Sequence, residues 1–211
     1  MQQPIKLWVS TPIYQGTCRY EWHQSCLKLQ SYCIRNNIPV TFHSIAGESL
    51  ITRARNELVN TFLKSDYTHY LSSDCDLQFE PADVMTLINA NKPIIGATYA
   101  IKSEPRRFVV NALPQTSKEL ISEVACIGTG LMLIQRYVFD ELKEAYPDDY
   151  YLSDTGHNVG EKIHMYFDTG IRDNRYYSED YWLCDNYRKL GCKVYIAPKI
   201  HLLHYGWKAY D

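Results

Sequence analysis

The chain has 211 residues, 45% of them hydrophobic, enough to bury a full core and build one domain of two fused half-sheets. Its 22 basic and 24 acidic side chains leave a formal charge of −2, so no broad positive field is available for a nucleic-acid backbone, and that class of partner is not expected. No 18-residue apolar run occurs, and no apolar signal-peptide core, so neither a spanning helix nor secretion by that route is expected.

Seven cysteines stand at 18, 26, 33, 75, 126, 184 and 192, an odd number without a CxxC pair. That argues against a zinc ribbon and a disulfide framework, and points to a reducing, cytoplasmic setting. The abrupt end at Tyr210-Asp211 suits a catalytic piece cut from a longer chain. The 18 tyrosines suit nucleobases and sugar rings, and equally suit half-wet cores.

Strand and helix patterns alternate through the first half. Residues 5–10 read as a strand, 17–36 as a helix and 39–43 as a second strand. Residues 49–64 are helical, with Leu50, Ala54, Leu58 and Phe62 recurring every fourth position. Residues 68–73 form a third strand running into Asp74-Cys75-Asp76. Pro81 opens a short helix to position 91, and 93–97 is a fourth strand. This order predicts an α/β fold with a largely parallel sheet covered by helices. Further on, 124–130 and 132–134 look like strands and 138–145 like a helix. Residues 146–166, rich in Asp, Tyr, Gly and Ser, read as a long loop. Ser178 caps a helix over 178–190 with Gly191 just past its end, and 193–196 is a last strand before a His-bearing tail.

Two carboxylates leaving a strand end suit a hard divalent cation carrying a diphosphate, because ligands of open α/β sheets bind beyond the carboxyl ends of strands. Strand alternation would point Asp74 and Asp76 to one side and Cys75 to the other; two solvated turn aspartates are the plainer alternative. In the 178–190 helix, Glu179 is accounted for by the helix dipole. Asp180 shares the inward face with Leu183, Cys184, Tyr187 and Leu190, where a carboxylate needs a partner and can act as a base or orient a hydroxyl. In the tail, Pro198 and Gly206 argue for an extended segment, so that His201 and His204 diverge. A single imidazole suits Mn²⁺, while His201 reads as structural. Lys208 and Lys102 are candidate phosphate contacts, each equally explained as a solvated lysine.

Neither Gly-rich phosphate fingerprint is present, so a diphosphate would need a metal and basic side chains. Arg53 and Asn56 project from the polar side of the 49–64 helix, and Arg55 lies at the margin of its apolar face. Such an arginine has a buried acid partner or binds an anion. Thr11-Pro-Ile-Tyr14 follows the first strand, where a base or ribose can stack on Tyr14. Gly128 and Gly130 let the backbone approach a ligand, or simply bend a strand.

Taken in order, Thr11-Pro-Ile-Tyr14, Arg53-Ala-Arg55-Asn56, Asp74-Cys-Asp76, Gly128-Thr-Gly130, Ser178-Glu-Asp180-Tyr-Trp-Leu-Cys184 and His204-Tyr-Gly206 resemble the GT-A nucleotide-sugar glycosyltransferases. The resemblance spans nearly the whole chain and extends to the N-terminal domain of a multidomain glycosyltransferase of chlorella viruses. It implies a Rossmann-like nucleotide half, residues 1–100, joined to an acceptor half, residues 101–211. It also implies Mn²⁺ or Mg²⁺ on Asp76 and His204, with Asp74 on metal, ribose or sugar. Thr11, Tyr14, Arg53, Arg55, Lys102 and Lys208 would serve the nucleotide. Asp180, with Glu179 beside it, would serve the donor sugar or acceptor hydroxyl. The implied partners are a UDP-sugar donor and an oligosaccharide or glycoprotein acceptor, and retention is favoured over inversion. Rival readings are a nucleotidyltransferase, disfavoured by the single glycine in 11–18, a non-catalytic carbohydrate-binding module, and an inactive scaffold.

Overall fold

The computed structural model describes residues 4–154, 158–206 and 209–210. The first half follows the expected alternation: β1 (Leu7–Ile13), α1 (Tyr20–Arg35), β2 (Val40–Ala46), α2 (Ile51–Leu63), β3 (His69–Ser73), a two-residue β4 (Leu77–Gln78), α3 (Pro81–Asn89) and β5 (Ile94–Gly96). Pro81 opens α3 as expected, and Glu80 and Asp83 form a reciprocal capping box around it. The second half holds β6 (Val110–Ala112), β7 (Ser122–Ile127), β8 (Leu131–Gln135), α4 (Arg136–Ala145), β9 (Tyr150–Leu152), β10 (Lys162–His164), β11 (Gly170–Arg172), β12 (Arg175–Tyr177), α5 (Glu179–Lys189), β13 (Val194–Ile196), β14 (Leu203–Tyr205) and β15 (Ala209–Tyr210).

Two expectations change. Within 146–166, β9 and β10 pair antiparallel, with Lys162 opposite Leu152 and His164 opposite Tyr150, so the segment carries a hairpin and is not a plain loop. Strands of three residues are too short to show a period. Ser178 does hold the N-cap position of α5, but its hydroxyl donates to Asp180 and caps no backbone N–H. Gly191 ends the helix with φ 81°, the left-handed conformation that glycine adopts freely.

The main sheet has the order β2-β1-β3-β8-β5-β13-β7-β6. β1 lies parallel to both β2 and β3, and β13 is parallel to β5. β8 runs antiparallel between β3 and β5, and β7 antiparallel between β13 and β6, so all the other strands point one way. The result is a mixed, mostly parallel α/β sheet flanked by helices.

Period-2 alternation sorts the core into two layers. Leu7, Val9, Leu71, Ile95, Leu131 and Leu133 face α1 and α3, meeting Trp22, Leu29, Val84 and Leu87. Trp8, Tyr70, Ile94, Met132 and Ile134 face the other way, meeting Val59 and Phe62 of α2, Val138 and Phe139 of α4, and Leu183 and Tyr187 of α5. Since β1, β3 and β5 run the same way, Tyr14, Asp74 and Lys102 all follow strands at one edge of the sheet. That edge is where an open α/β sheet offers a ligand site.

Candidate functional site

β3 stops at Ser73, whose hydroxyl accepts the Trp22 indole N–H at 3.0 Å. The chain then turns: Leu77 N–H donates to the Asp74 carbonyl at 3.3 Å, and Asp74 N–H to the Gly130 carbonyl at 3.0 Å. Asp74 and Asp76 therefore stand in a turn, where strand alternation no longer applies, and their carboxylates are engaged by different groups. Asp74 Oδ1 accepts Arg55 Nη2 at 2.9 Å. Asp76 Oδ2 accepts Lys102 Nζ, while Asp76 Oδ1 lies 3.5 Å from His204 Nε2.

His204 reaches Asp76 because the tail is extended, as expected. β14 pairs antiparallel with β4, placing His204 opposite Leu77, and Tyr205 N–H donates to the Asp76 carbonyl at 2.8 Å. His201, expected to diverge, is exposed. The His204 ring is fixed by Nδ1, 2.8 Å from the Ala100 carbonyl, and by the Tyr99 ring set edge-on at 5.1 Å. A carbonyl only accepts, so Nδ1 carries a proton, and Nε2 is the ring nitrogen turned toward Asp76. Among the described residues Asp76 Oδ1 is itself buried without a hydrogen-bond partner. One carboxylate oxygen and one imidazole nitrogen thus face one another at 3.5 Å, a pair that a proton on Nε2 or a divalent cation in its place satisfies. Burial works to raise the Asp76 carboxyl, but His204 and Lys102 outweigh it and hold it below the ordinary carboxylate value. Among the described residues no three His, Cys, Asp or Glu side chains gather as a ready metal cage, since Asp74 turns to Arg55.

Arg55 is 3% exposed, and each of its three nitrogens donates a hydrogen bond. Its Nε donates to Glu179 at 3.2 Å, Nη1 to the Ser72 hydroxyl at 3.0 Å and Nη2 to Asp74. Burial opposes its charge, and the Asp74 and Glu179 carboxylates overcome that and raise its pKa. The guanidinium thus ties the end of β3 to the start of α5. Next to Glu179, Asp180 is 8% exposed and accepts the Ser178 hydroxyl and the Tyr181 N–H; among the described residues no cation is bonded to it. Burial, then the charge of Glu179, push its carboxyl up to about 6. Burial, then Asp74 and Asp180, keep the Tyr99 phenol well above its ordinary value, so Tyr99 sits within the field of both acids. The helix face proposed for Asp180 is inward at Leu183, Cys184 and Tyr187, whereas Leu190 is exposed.

The remaining candidates are spread along the same edge. Thr11 is buried in β1 and Tyr14 is 62% exposed just past it. Arg53 grips Glu48 through Nε at 2.6 Å and Nη2 at 2.9 Å, so its fork is held by a carboxylate. Asn56, expected on the polar side, is buried and clamps the backbone of Phe167 through two bonds of 2.8 Å. Lys208 lies outside the described residues. Sequence reasoning missed Glu48 and Tyr99. Glu48 stands five positions before Arg53, a spacing no helix pairing suggests. Gly128 and Gly130 did signal a close approach, but what approaches is Tyr99: a Cβ on Gly128 would lie 2.6 Å from its hydroxyl, and one on Gly130 2.5 Å from its ring.

No protein-family model matches the chain, and no curated protein matches it. Among solved structures, A197 from STIV is 15% identical, with a TM-score of 0.59 over 96% of this chain and 86% of that one, which shows a shared fold. GalNAc-T7, solved with UDP, GalNAc and Mn²⁺, is 12% identical with a TM-score of 0.48; 97% of this chain covers 44% of it. A glycosyltransferase involved in glycosylation of the major capsid of PBCV-1 is 10% identical with a TM-score of 0.39 over 68% of each chain. Among the described residues no helix is long and apolar enough to cross a membrane.

Proposed function

We propose that this chain is a metal-dependent glycosyltransferase of the GT-A kind that passes a sugar from a UDP-sugar to a glycan hydroxyl, with Asp76 and His204 holding Mn²⁺ or Mg²⁺. The observation that carries it is the buried, unpartnered Asp76 Oδ1 faced by a His204 ring whose Nδ1 is bonded to a carbonyl. A cation bound there would offset the charge of the departing diphosphate. Two protein ligands leave coordination positions for phosphate oxygens and water, as Mg²⁺ and Mn²⁺ sites on diphosphates require.

The chain's own residues divide the rest of the work. Lys102 adds a cation beside Asp76. Thr11 and exposed Tyr14, at the end of β1, take the uridine within the 1–100 half. Arg55, bonded to Ser72, Asp74 and Glu179, positions Asp74 against the ribose or sugar hydroxyls, and Arg53 is held ready by Glu48. Lys208 remains a candidate phosphate contact. Asp180, largely desolvated and without a bonded cation, orients the acceptor hydroxyl brought in by the 101–211 half, with Glu179 tying it to Arg55. For retention, the hydroxyl attacks from the side of the departing phosphate, whose oxygen takes the proton. The cysteine pattern favours the cytoplasm, and the role proposed is synthesis of viral or cell-surface glycans.

The test is nucleotide release from a panel of UDP-, GDP- and dTDP-sugars, with Mn²⁺ or with EDTA, for wild type and Asp76→Ala. Release from UDP-sugars that needs metal and fails in the variant is the expected result. No release and no nucleotide binding from any donor would remove the transferase reading and favour a carbohydrate-binding module.

A further inference from the structure

About nine residues along α2 from Arg55, or roughly 13 Å at helical rise, a second concave site opens beneath the β9–β10 hairpin. It is a cavity of about 420 Å³ lined by Asn60, Lys64, Lys143, Lys162, His164 and Tyr166 among others, and no carboxylate is among its lining residues. Lys64 is joined to Glu161, and Lys162 rests over the Tyr150 ring at 3.5 Å. No ion pair of Lys143 is found among the described residues. Tyr166 is 3% exposed, and its hydroxyl has no hydrogen-bond partner. His164 is buried against Tyr166 with ring centroids 4.6 Å apart.

The ordinary account of lysines here is the helix dipole, because Lys64 follows the last residue of α2 and Lys143 stands in the last turn of α4. Two helix ends supply about half a negative charge each. With Lys64 joined to Glu161, Lys143 and Lys162 still exceed that, and Lys162 sits on a strand where no dipole calls for it. The surplus field is felt locally: after burial, Lys143 and Lys162 help to push the His164 imidazole down to about 4, so the ring stays neutral and offers hydrogen bonds.

We infer that this cavity is a second ligand site, separate from the Asp76 and His204 pair, that binds a phosphate-bearing small molecule through Lys143 and Lys162. Lysine ammonium groups bind phosphate as point charges. A volume of about 420 Å³ admits a monosaccharide phosphate.

The test is calorimetric titration of the full chain at low ionic strength with inorganic phosphate and with glucose 1-phosphate, alongside the His164 ring resonances by NMR. Saturable binding that shifts those resonances is expected, weakened about tenfold or more by Lys143→Gln with Lys162→Gln. Asp76→Ala should leave it unchanged. Tighter binding of glucose 1-phosphate assigns the site to a sugar phosphate, and equal binding assigns it to the phosphate group alone. No saturation of wild type up to about 20 mM, well beyond the range of a dedicated site, overturns the proposal. So does binding that survives the double lysine variant, or that is lost in Asp76→Ala. The lysines replaced are exposed, so the variants keep the fold, which their urea midpoints verify.

Discussion

Tyr99 and Gly130 are joined twice: the Gly130 N–H donates to the Tyr99 hydroxyl at 3.2 Å, and the ring occupies the space of the missing side chain, 2.5 Å from where a Cβ would stand. Gly130→Ala must push the ring away or move Leu77 on its other side. The expected cost is about 2 kcal/mol, as for other overpacked cores. Because the same ring braces His204, Mn²⁺ binding should weaken as well. Urea denaturation and Mn²⁺ titration measure both, and an unchanged midpoint would mean the ring yields freely.

Arg55 is a buried cation shared by two acids, and removing it leaves both short of a partner. Arg55→Met should lower stability by about 3–5 kcal/mol. Arg55→Lys should recover only part of this, because an ammonium cannot span Ser72, Asp74 and Glu179 as the planar fork does. Chemical denaturation ranks the three proteins. Equal loss in Met and Lys variants would show that geometry matters more than charge.

Asp180 predicts a pH dependence of defined sign. Its folded-state carboxyl, at about 6, lies above the ordinary 3.8. The native state therefore holds this proton more tightly than the unfolded chain, and ionising it opposes folding. The contribution is favourable near pH 4 and is lost as pH rises through about 6, on the order of 2–3 kcal/mol at most. Asp180→Asn should flatten that part of the stability–pH curve. In the proposed reaction, donor turnover should rise through an apparent pKa near 6 in wild type, and the limb should vanish in the variant.

In the proposed reaction, Lys102 and the divalent cation share Asp76, and the two compete for it. Replacing Lys102 by Gln should tighten Mn²⁺ binding about threefold to tenfold, in keeping with the loss of one partly exposed ion pair. Electron paramagnetic resonance of free Mn²⁺ reads this directly. Weaker binding in the variant would show that the ammonium supports the site and does not occupy it.

The layers of the fold were legible because their signals are local. The every-fourth recurrence of Ala54, Leu58 and Phe62 located α2, whereas Leu50, first of that series, is its exposed N-cap residue; Pro81 and Gly191 marked helix ends where the structure has them. Asp74 at a strand end was equally visible. Its separation from Asp76 was not, because that depends on the Leu77-to-Asp74 turn bond and on which cation each carboxylate meets. Glu48 on Arg53 and Glu179 on Arg55 are tertiary pairings with no spacing rule behind them. β9, β10 and β14, of three residues each, exist because of the strands they pair with, and their own composition carries no period.

The docking of β14 on β4 separates having a fold from having a site. Tyr205 and Gln78, whose side chains meet at 2.6 Å, are 127 residues apart in the chain, and the strands that carry them are only three and two residues long. Such a seam opens at far lower free energy than the eight-stranded sheet. When it opens, His204 leaves Asp76 while the two core layers stay closed. A sample can therefore show full circular dichroism and a cooperative melt yet contain molecules in which the proposed ligands Asp76 and His204 are apart. Hydrogen exchange at Tyr205, set against that of Leu71, would count them.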